Sequence, residues 1–418
     1  MEIVQILKEE FDEYASNHPM NNYYQTSKYG MLMDRHNFDD YYLAMKDENG
    51  NIKAATLILI NKILFSYKWG YCPRGFLIDF SDYNLLETFT KLLKEFLNKR
   101  NFMFIKIDPY IIYKDEENNI DNSNIVENLK TLGYEHSGFN LYFENLKPRF
   151  NAMLTTNSEE NLFLNYNKEI KNKIRKAEKK GIDVIKGSND SVKQFYSLVN
   201  KKHTRKLNYF LDMMEIMGKE DMFEIYFAVL NTARYIEISQ KLFEDEEKAN
   251  NEINQELEEN INSNNTSNII RRKMASDDLL NKAKQNIINA TNLYKQYPEG
   301  LIIGANAIIK YNNQINFIVD GYKDEFKSYC PNHYLKFQII ENYRHQGYTK
   351  FNLGGISGDI KNDSDPFKNQ RKFKLGWNSN IEEYIGEFTL VINKGKYQAF
   401  KQINPIRQWL NEPLIKKK

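Results

Sequence analysis

Hydrophobic and polar positions along the chain follow two periods. EIVQILKEEFDEYAS (2–16) and NLLETFTKLLKEFLNKR (84–100) repeat apolar residues at helical spacing. YYLAMKDENGNIKAATLILI (41–60) reads as two strands around Glu48-Asn49-Gly50, because Asn-Gly supplies the left-handed backbone of a tight hairpin. FMFIKIDPY (102–110) is a buried strand halted at Pro109. Long helices between such strands predict an α/β (α+β) unit over residues 1–145.

A second unit begins near Phe150. Thr156 and Glu159 have the spacing of a capping box. NKEIKNKIRKAEKKG (167–181) then reads as a helix closed by Gly181. Lys168, Lys171, Lys173, Arg175, Lys176, Lys179 and Lys180 oppose only Glu169 and Glu178 there, which fits either a solvated face or a phosphate-contacting surface. From 235 to 297 the pattern changes. Leu242, Ala249, Ile253 and Leu257, and on the return Leu280, Ala283, Ile287, Ala290 and Tyr294, mark narrow stripes on two charged helices joined by the polar NSNNTSN. The prediction is an antiparallel coiled-coil arm with its stripes satisfied internally.

The mixed pattern then returns. GLIIGANAIIKYNNQINFIV (300–319) is a strand pair around Asn312-Asn313, NHYLKFQIIENYRHQGY (332–348) a helix ending at Gly347, TKFNLGGIS (349–357) a strand, and EEYIGEFTLVI (382–392) a further single strand. The second unit is therefore expected over 146–234 and 298–400, interrupted by the arm, with a basic tail over 401–418.

Composition narrows the function. The 418 residues are 41% apolar with a net charge of +2, so no global field draws the chain onto nucleic acid or membrane, and any such contact needs a local patch. Cys72 and Cys330 are too few for a disulfide framework or zinc finger and fit a reducing cytosol. The N-terminus lacks the apolar core of a signal peptide, and no stretch approaches the roughly 20 apolar residues of a membrane span. The expectation is a soluble, intracellular protein.

The segment FNLGGISGDIKNDSDPFKNQRKFKLGW (351–377) carries the densest chemistry. Gly354-Gly355 is not followed by Lys-Ser/Thr at a helix start, which excludes a P-loop, and a dinucleotide fingerprint fails likewise. Arg344-His345-Gln346-Gly347 faintly resembles the pyrophosphate loop of acetyl-CoA-dependent N-acetyltransferases, but it closes a helix instead of opening one, so an acyl-CoA donor is not expected. The six histidines are scattered, and no Gly-x-Ser-x-Gly elbow is present. What remains is a glycine-lined strand end facing KNQRKFKLGW, with backbone donors and ammonium groups suited to an anionic substrate or a developing oxyanion.

The series NYYQTSKYG, YCPRGFLIDF, FIKIDPY, LGYEHSGF, NKIRKAEKKGIDV, a helical hairpin, FNLGGISG, RKFKLGW and EEYIGEF resembles the FemABX aminoacyltransferases of peptidoglycan interpeptide-bridge synthesis, most closely the FemA branch, over nearly the whole chain. The resemblance implies two tandem acetyltransferase-like (GNAT-like) domains, a coiled-coil arm in the second, and no metal or organic cofactor. It implies transfer of an amino acid, glycine in the FemA branch, from aminoacyl-tRNA to the stem peptide of a lipid-linked precursor. This places the protein in the cytoplasm, peripheral to the inner membrane face. Association with itself or related transferases is an expectation of the same kind. The resemblance assigns Lys374 to stabilising the transition state, Asp108 to orienting the attacking amine, and Glu387 to the acid of YIGE. It assigns substrate contact to Arg74, Arg205, Tyr209, Gly354 and Gly355. Lys168, Lys171, Arg175, Lys176 and Lys179 become the tRNA surface. Departures are Met33, where the family often has a phosphate-binding lysine that Lys28 or Arg35 would replace, and Phe317 and Val319, where the family's Y-x-Y-A-G has tyrosines. Two other readings stay open: transfer of serine or alanine, and a non-catalytic paralogue acting as a scaffold.

Overall fold

The computed structural model describes residues 1–62, 67–143, 146–157, 159, 161–201, 205–260 and 266–403. The first half runs β1 (Glu2–Gln5), α1 (Lys8–Asn17), α2 (Ser27–Asp34), β2 (Asp39–Lys46), β3 (Ile52–Lys62), β4 (Lys68–Cys72), α3 (Tyr83–Asn98), β5 (Phe102–Ile107), the short pair β6 (Lys114–Asp115) and β7 (Ile120–Asp121), α4 (Ser123–Thr131) and β8 (Tyr134–His136). The second half runs β9 (Phe150–Thr155), α5 (Leu162–Asn165), α6 (Lys168–Glu178), β10 (Ile182–Lys186), α7 (Val192–Val199), α8 (Leu207–Met213), β11 (Phe223–Leu230), α9 (Thr232–Glu259), α10 (Thr266–Gln296), β12 (Leu301–Tyr311), β13 (Gln314–Tyr322), α11 (Pro331–His345), β14 (Lys350–Ile356), α12 (Lys368–Leu375), β15 (Asn380–Glu383), β16 (Phe388–Val391) and α13 (Lys394–Ile403).

Among the described residues these strands build two seven-stranded sheets, ordered β1-β2-β3-β4-β5-β16-β8 and β10-β11-β12-β13-β14-β9-β15. Each is antiparallel except for one parallel pair, β4–β5 in the first and β13–β14 in the second. The predicted α/β (α+β) organisation in two tandem halves is therefore present. The predicted hairpins close as their turn residues dictate. Gly50 takes φ 81° between β2 and β3, and Asn312 takes φ 48° between β12 and β13. One apolar cluster spans both halves, joining Phe11, Leu32 and Leu57 to Phe195, Met217 and Ala307. No helix among the described residues is long and apolar enough to cross a membrane.

Five details differ from the sequence pattern. EIVQILKEEFDEYAS is not one helix: Glu2–Gln5 form β1, paired antiparallel with β2, and α1 starts only at Lys8. EEYIGEFTLVI is not one strand. Its first part is β15 at the edge of the second sheet, and its last part is β16, inserted between β5 and β8 of the first. Gly386, at φ 92°, makes the turn between them. The Thr156–Glu159 capping box does not form. The Thr156 hydroxyl donates to Asn157 O, and the next helix, α5, starts only at Leu162. The helix that matters, α6, is capped by Asn167, whose side chain accepts from Ile170 N.

In the arm, α10 buries Ile269, Ser276, Ala283 and Ala290 at seven-residue steps, while α9 buries Tyr235, Ser239 and Asn250. Ala249 is exposed and Tyr294 is 41% exposed, because small and polar residues fill the tight seam in their place. Asn250 Nδ2 donates to Ser276 Oγ and Asp277 Oδ1, a polar pair that fixes register. The arm is not self-contained at its base. Tyr235 and Ala290 belong to the second half's core, and Lys180 Nζ reaches Asn286. Most of the polar turn and the tail beyond Ile403 lie outside the described residues.

Candidate active site

A cavity of about 460 Å³ opens where the two halves meet. Its floor follows from the parallel pair. β13 and β14 hydrogen-bond only over Gln314–Asn316 and Lys350–Asn352. Beyond that they diverge, and Phe317–Asp320 and Leu353–Gly355 line the slot between them. The two glycines are required by this geometry. Gly354 sits at φ 89° in a bulge of the β14–β9 pairing, where a Cβ would come within 3.0 Å of Lys374 Nζ. A Cβ on Gly355 would strike Pro148 at 2.4 Å. The close approach lets Lys374, on α12, donate to Gly355 O at 2.8 Å. The Gly354 N–H does not face the cavity as a free donor, since Asn352 Oδ1 accepts it at 2.8 Å. The positive group on this wall is thus the lysine itself.

Burial pushes the Lys374 ammonium down to about 7; the nearby Lys336 lowers it further and Asp320 opposes both. Lys336 is 2% exposed and lies over the Phe317 ring at 3.5 Å; burial lowers it to about 8, against Asp320. On the facing side Lys147 lies 4.2 Å from the Tyr24 ring centre. Burial pushes it down to about 7, Arg205 and Arg74 add to the effect, and Asp108 opposes it. Among the described residues neither Lys147 nor Lys336 has a hydrogen-bond or ion-pair partner, and both line the cavity.

Arg74, Arg205 and Tyr209 line the same cavity. Arg205 stacks 4.5 Å from the Tyr209 ring. Arg74 holds a left-handed backbone at φ 52°, donates from Nη2 to Pro148 O at 2.8 Å, and stacks on Tyr384.

Asp108 and Glu387 do not line the cavity. Asp108 accepts from Arg74 N at 2.8 Å and from the Tyr71 hydroxyl at 3.1 Å, so it fixes the strained Arg74 backbone from behind. Glu387 is buried, accepts from Leu146 N at 2.7 Å and lies 3.9 Å from Lys106 Nζ, tying the inter-half linker to β16. Both carboxylates thus contact the scaffold that frames the cavity. Met33 is buried in the apolar cluster. Lys28 and Arg35 face carboxylates across the junction, Glu220 for the first and Asp212 and Glu215 for the second, and do not reach the cavity. The site's further cations are Lys147 and Lys336, which the sequence pattern did not single out.

Lys336 was detectable. It falls within the stripe Asn332, Leu335, Lys336, Ile339, Ile340 and Tyr343 that α11 buries. A lysine in a buried stripe is a signal in itself. Lys147, on an irregular linker, carried none.

The basic helix α6 buries Ile170, Ile174 and Ala177 and leaves Lys168, Arg175, Lys176 and Lys179 exposed; Lys171 is half-buried with Nζ on Leu164 O at 3.1 Å. Its first residues abut the end of α12, with Asn167 N donating to Gly376 O at 3.0 Å. The charged face therefore leads toward the element that carries Lys374. No group of residues able to hold a metal ion occurs among the described residues.

Two α/β halves thus meet at a basic cavity walled on one side by a glycine-lined strand end. The chain belongs to the FemAB family, whose model matches residues 6–404. As a member it is a transferase of aminoacyl groups. A lipid II:glycine glycyltransferase of Staphylococcus aureus (strain bovine RF122 / ET3-1) is 25% identical over 431 residues, covering 97% of this chain and 96% of that protein. The protein of the same name from strain USA300 is also 25% identical with the same coverage. The crystal structure of FemX shares the fold at a TM-score of 0.76 and 22% identity, covering 96% of this chain and 100% of that one. The solved neighbour carries the FemX name and not FemA's, so membership is stated for the family and not for a branch.

Proposed function

We propose that this aminoacyltransferase moves an amino acid, glycine in the first instance, from aminoacyl-tRNA to the stem-peptide amine of a lipid-linked peptidoglycan precursor, and so extends the interpeptide bridge. The observation that carries the reading is a set of cavity ammonium groups without anionic partners, Lys336 buried and Lys147 and Lys374 half-buried. Lys147 and Lys336 have no partner among the described residues, and Lys374 has only a carbonyl. Desolvating a cation is costly unless a counter-charge arrives, so such a cavity is built for a ligand with several negative charges. A diphosphate-bearing precursor and the phosphodiester end of a tRNA both meet that description. The exposed face of α6 is the proposed track for the tRNA, and the protein would work at the inner membrane face, where the precursor resides.

In this reading the neutral amine nitrogen of the acceptor attacks the ester carbonyl carbon. A C–N bond forms, the C–O bond to the ribose oxygen breaks, and the amine's proton ends on that oxygen. Negative charge grows on the carbonyl oxygen, where the Lys374 ammonium is placed to meet it. A nitrogen titrating near neutrality also suits proton delivery to the leaving oxygen. The test is transfer to purified lipid-linked precursor from a panel of tRNAs charged with glycine, serine or alanine. Glycine transfer supports the proposal, preference for serine or alanine changes the donor, and no transfer from any of them removes it.

A further inference from the structure

Six charged side chains line the cavity: Arg74, Lys147, Arg205, Lys336 and Lys374 are cations, and Asp320 is the one anion among the described residues. Asp320 sits on β13, across the slot from Gly354 and Gly355. Its Oδ1 accepts from Asn332 Nδ2 at 2.9 Å, and Asn332 is 8% exposed in the first turn of α11. The carboxylate is therefore held in place. Although three lysines share its cavity, it makes no ion pair among the described residues. The family's Y-x-Y-A-G reads Phe317-Ile318-Val319-Asp320-Gly321 here, so this charge stands where the motif has alanine.

An anion kept apart from five nearby cations is suited to a cationic ligand group. The donor proposed above has one. An aminoacyl ester carries its α-ammonium two bonds from the carbonyl carbon that must reach Lys374. In a cavity otherwise lined with positive charge that ammonium is repelled, and a fixed carboxylate on the opposite side of the slot offsets the repulsion. We propose that Asp320 binds the free α-ammonium of the donor amino acid and so distinguishes an aminoacyl donor from an N-acylated one. This rests on the donor class of the preceding section.

The experiment titrates the full-length protein with two probes, a cytidylyl-cytidylyl-adenosine trinucleotide bearing 3′-amide-linked glycine and the same molecule with N-acetylglycine. The wild type should prefer the free amine by about tenfold or more, the scale of one charge-assisted hydrogen bond. Asp320→Asn keeps the side-chain shape and an acceptor for Asn332. It should abolish the preference while leaving affinity for the N-acetyl probe unchanged. Asp320→Ala should lose the same preference. A preference that survives Asp320→Asn overturns the proposal. So does an equal weakening of both probes, which would mean that Asp320 only balances Lys336 and Lys374. A wild type that does not discriminate also overturns it. Because the titration involves no acceptor and no chemistry, it is read separately from the transfer assay that tests the overall function.

Discussion

Replacing Lys336 by methionine should make the protein more stable and less able to bind its substrates. Methionine keeps the unbranched stem over Phe317 and removes the charge. The structure sets the size of the effect. Lys336 is 2% exposed, and burial brings its ammonium from 10.5 to about 8, against an opposing pull from Asp320. Each tenfold change in proton affinity is worth about 1.4 kcal/mol. The sign follows from linkage. A lysine whose folded pKa is depressed binds fewer protons folded than unfolded, so it destabilises the folded state at every pH below its unfolded value. The cost is full below about 8 and fades as pH rises toward 10.5. At pH 7 it is about 3 kcal/mol, and at about pH 9.5 it has fallen to about 1 kcal/mol. Lys336→Met should therefore raise the urea midpoint at unchanged slope, with a gain that shrinks by more than half between those two pH values. Saturating inorganic pyrophosphate, as a stand-in polyanion, should stabilise the wild type more than the variant. A variant that is less stable than wild type at pH 7, or a gain independent of pH, would refute the view that this ammonium is desolvated and waiting for a counter-charge.

Lys374→Met should lower single-turnover glycine transfer by roughly 10²–10³, the range for loss of one oxyanion-stabilising group, with much smaller changes in the binding of either substrate; near-normal turnover removes the catalytic role, and a pure binding defect recasts it as an anion contact. Replacing Lys171, Arg175 and Lys179 by alanine should weaken tRNA binding and flatten its salt dependence, and unchanged affinity across a salt series would detach α6 from that role. Because Tyr235 and Ala290 belong to the second half's core, excising 244–281 with a Gly/Ser turn should leave the main unfolding transition within about 0.5 kcal/mol, whereas excising 235–297 should cost about 3 kcal/mol or more by removing a buried aromatic. Equal stability of the two deletions would show that the arm's base contributes nothing.

Much of this architecture could be read from local patterns, and the parts that could not share a cause. Hairpins at Gly50 and Asn312 and the cap at Gly181 follow from residues adjacent in sequence, so each was visible. The division of EEYIGEFTLVI between two sheets depends on which distant strand each segment meets, and nothing within eleven residues encodes that. The same holds for the site. Lys374, Arg205 and Tyr209 were found through motif resemblance, and they do line the cavity. Asp108 and Glu387 share equally good motifs yet face inward onto Arg74 N and Leu146 N. A motif records that a carboxylate is needed, and only the fold tells whether it faces the ligand or the scaffold. Lys147 escaped because the rings it lies over, Tyr24 and Tyr29, stand more than a hundred residues earlier in the chain.

The placement of β16 has a consequence for biosynthesis. The first sheet's β5 and β8 are separated by a gap that only residues Phe388–Val391 fill. During translation about 250 residues must be added after β8 before that strand exists, which at 5–20 residues per second is roughly 12–50 s. Throughout that interval the nascent first half exposes two open β-edges in the middle of its sheet, the kind of surface that pairs with foreign strands. The amino-terminal half is therefore not an independently maturing module, despite its sequence order. Chains released early at any point before residue 391 should be chaperone clients. Splitting the protein between its halves should yield a soluble first piece only if the last segment is supplied to it in trans.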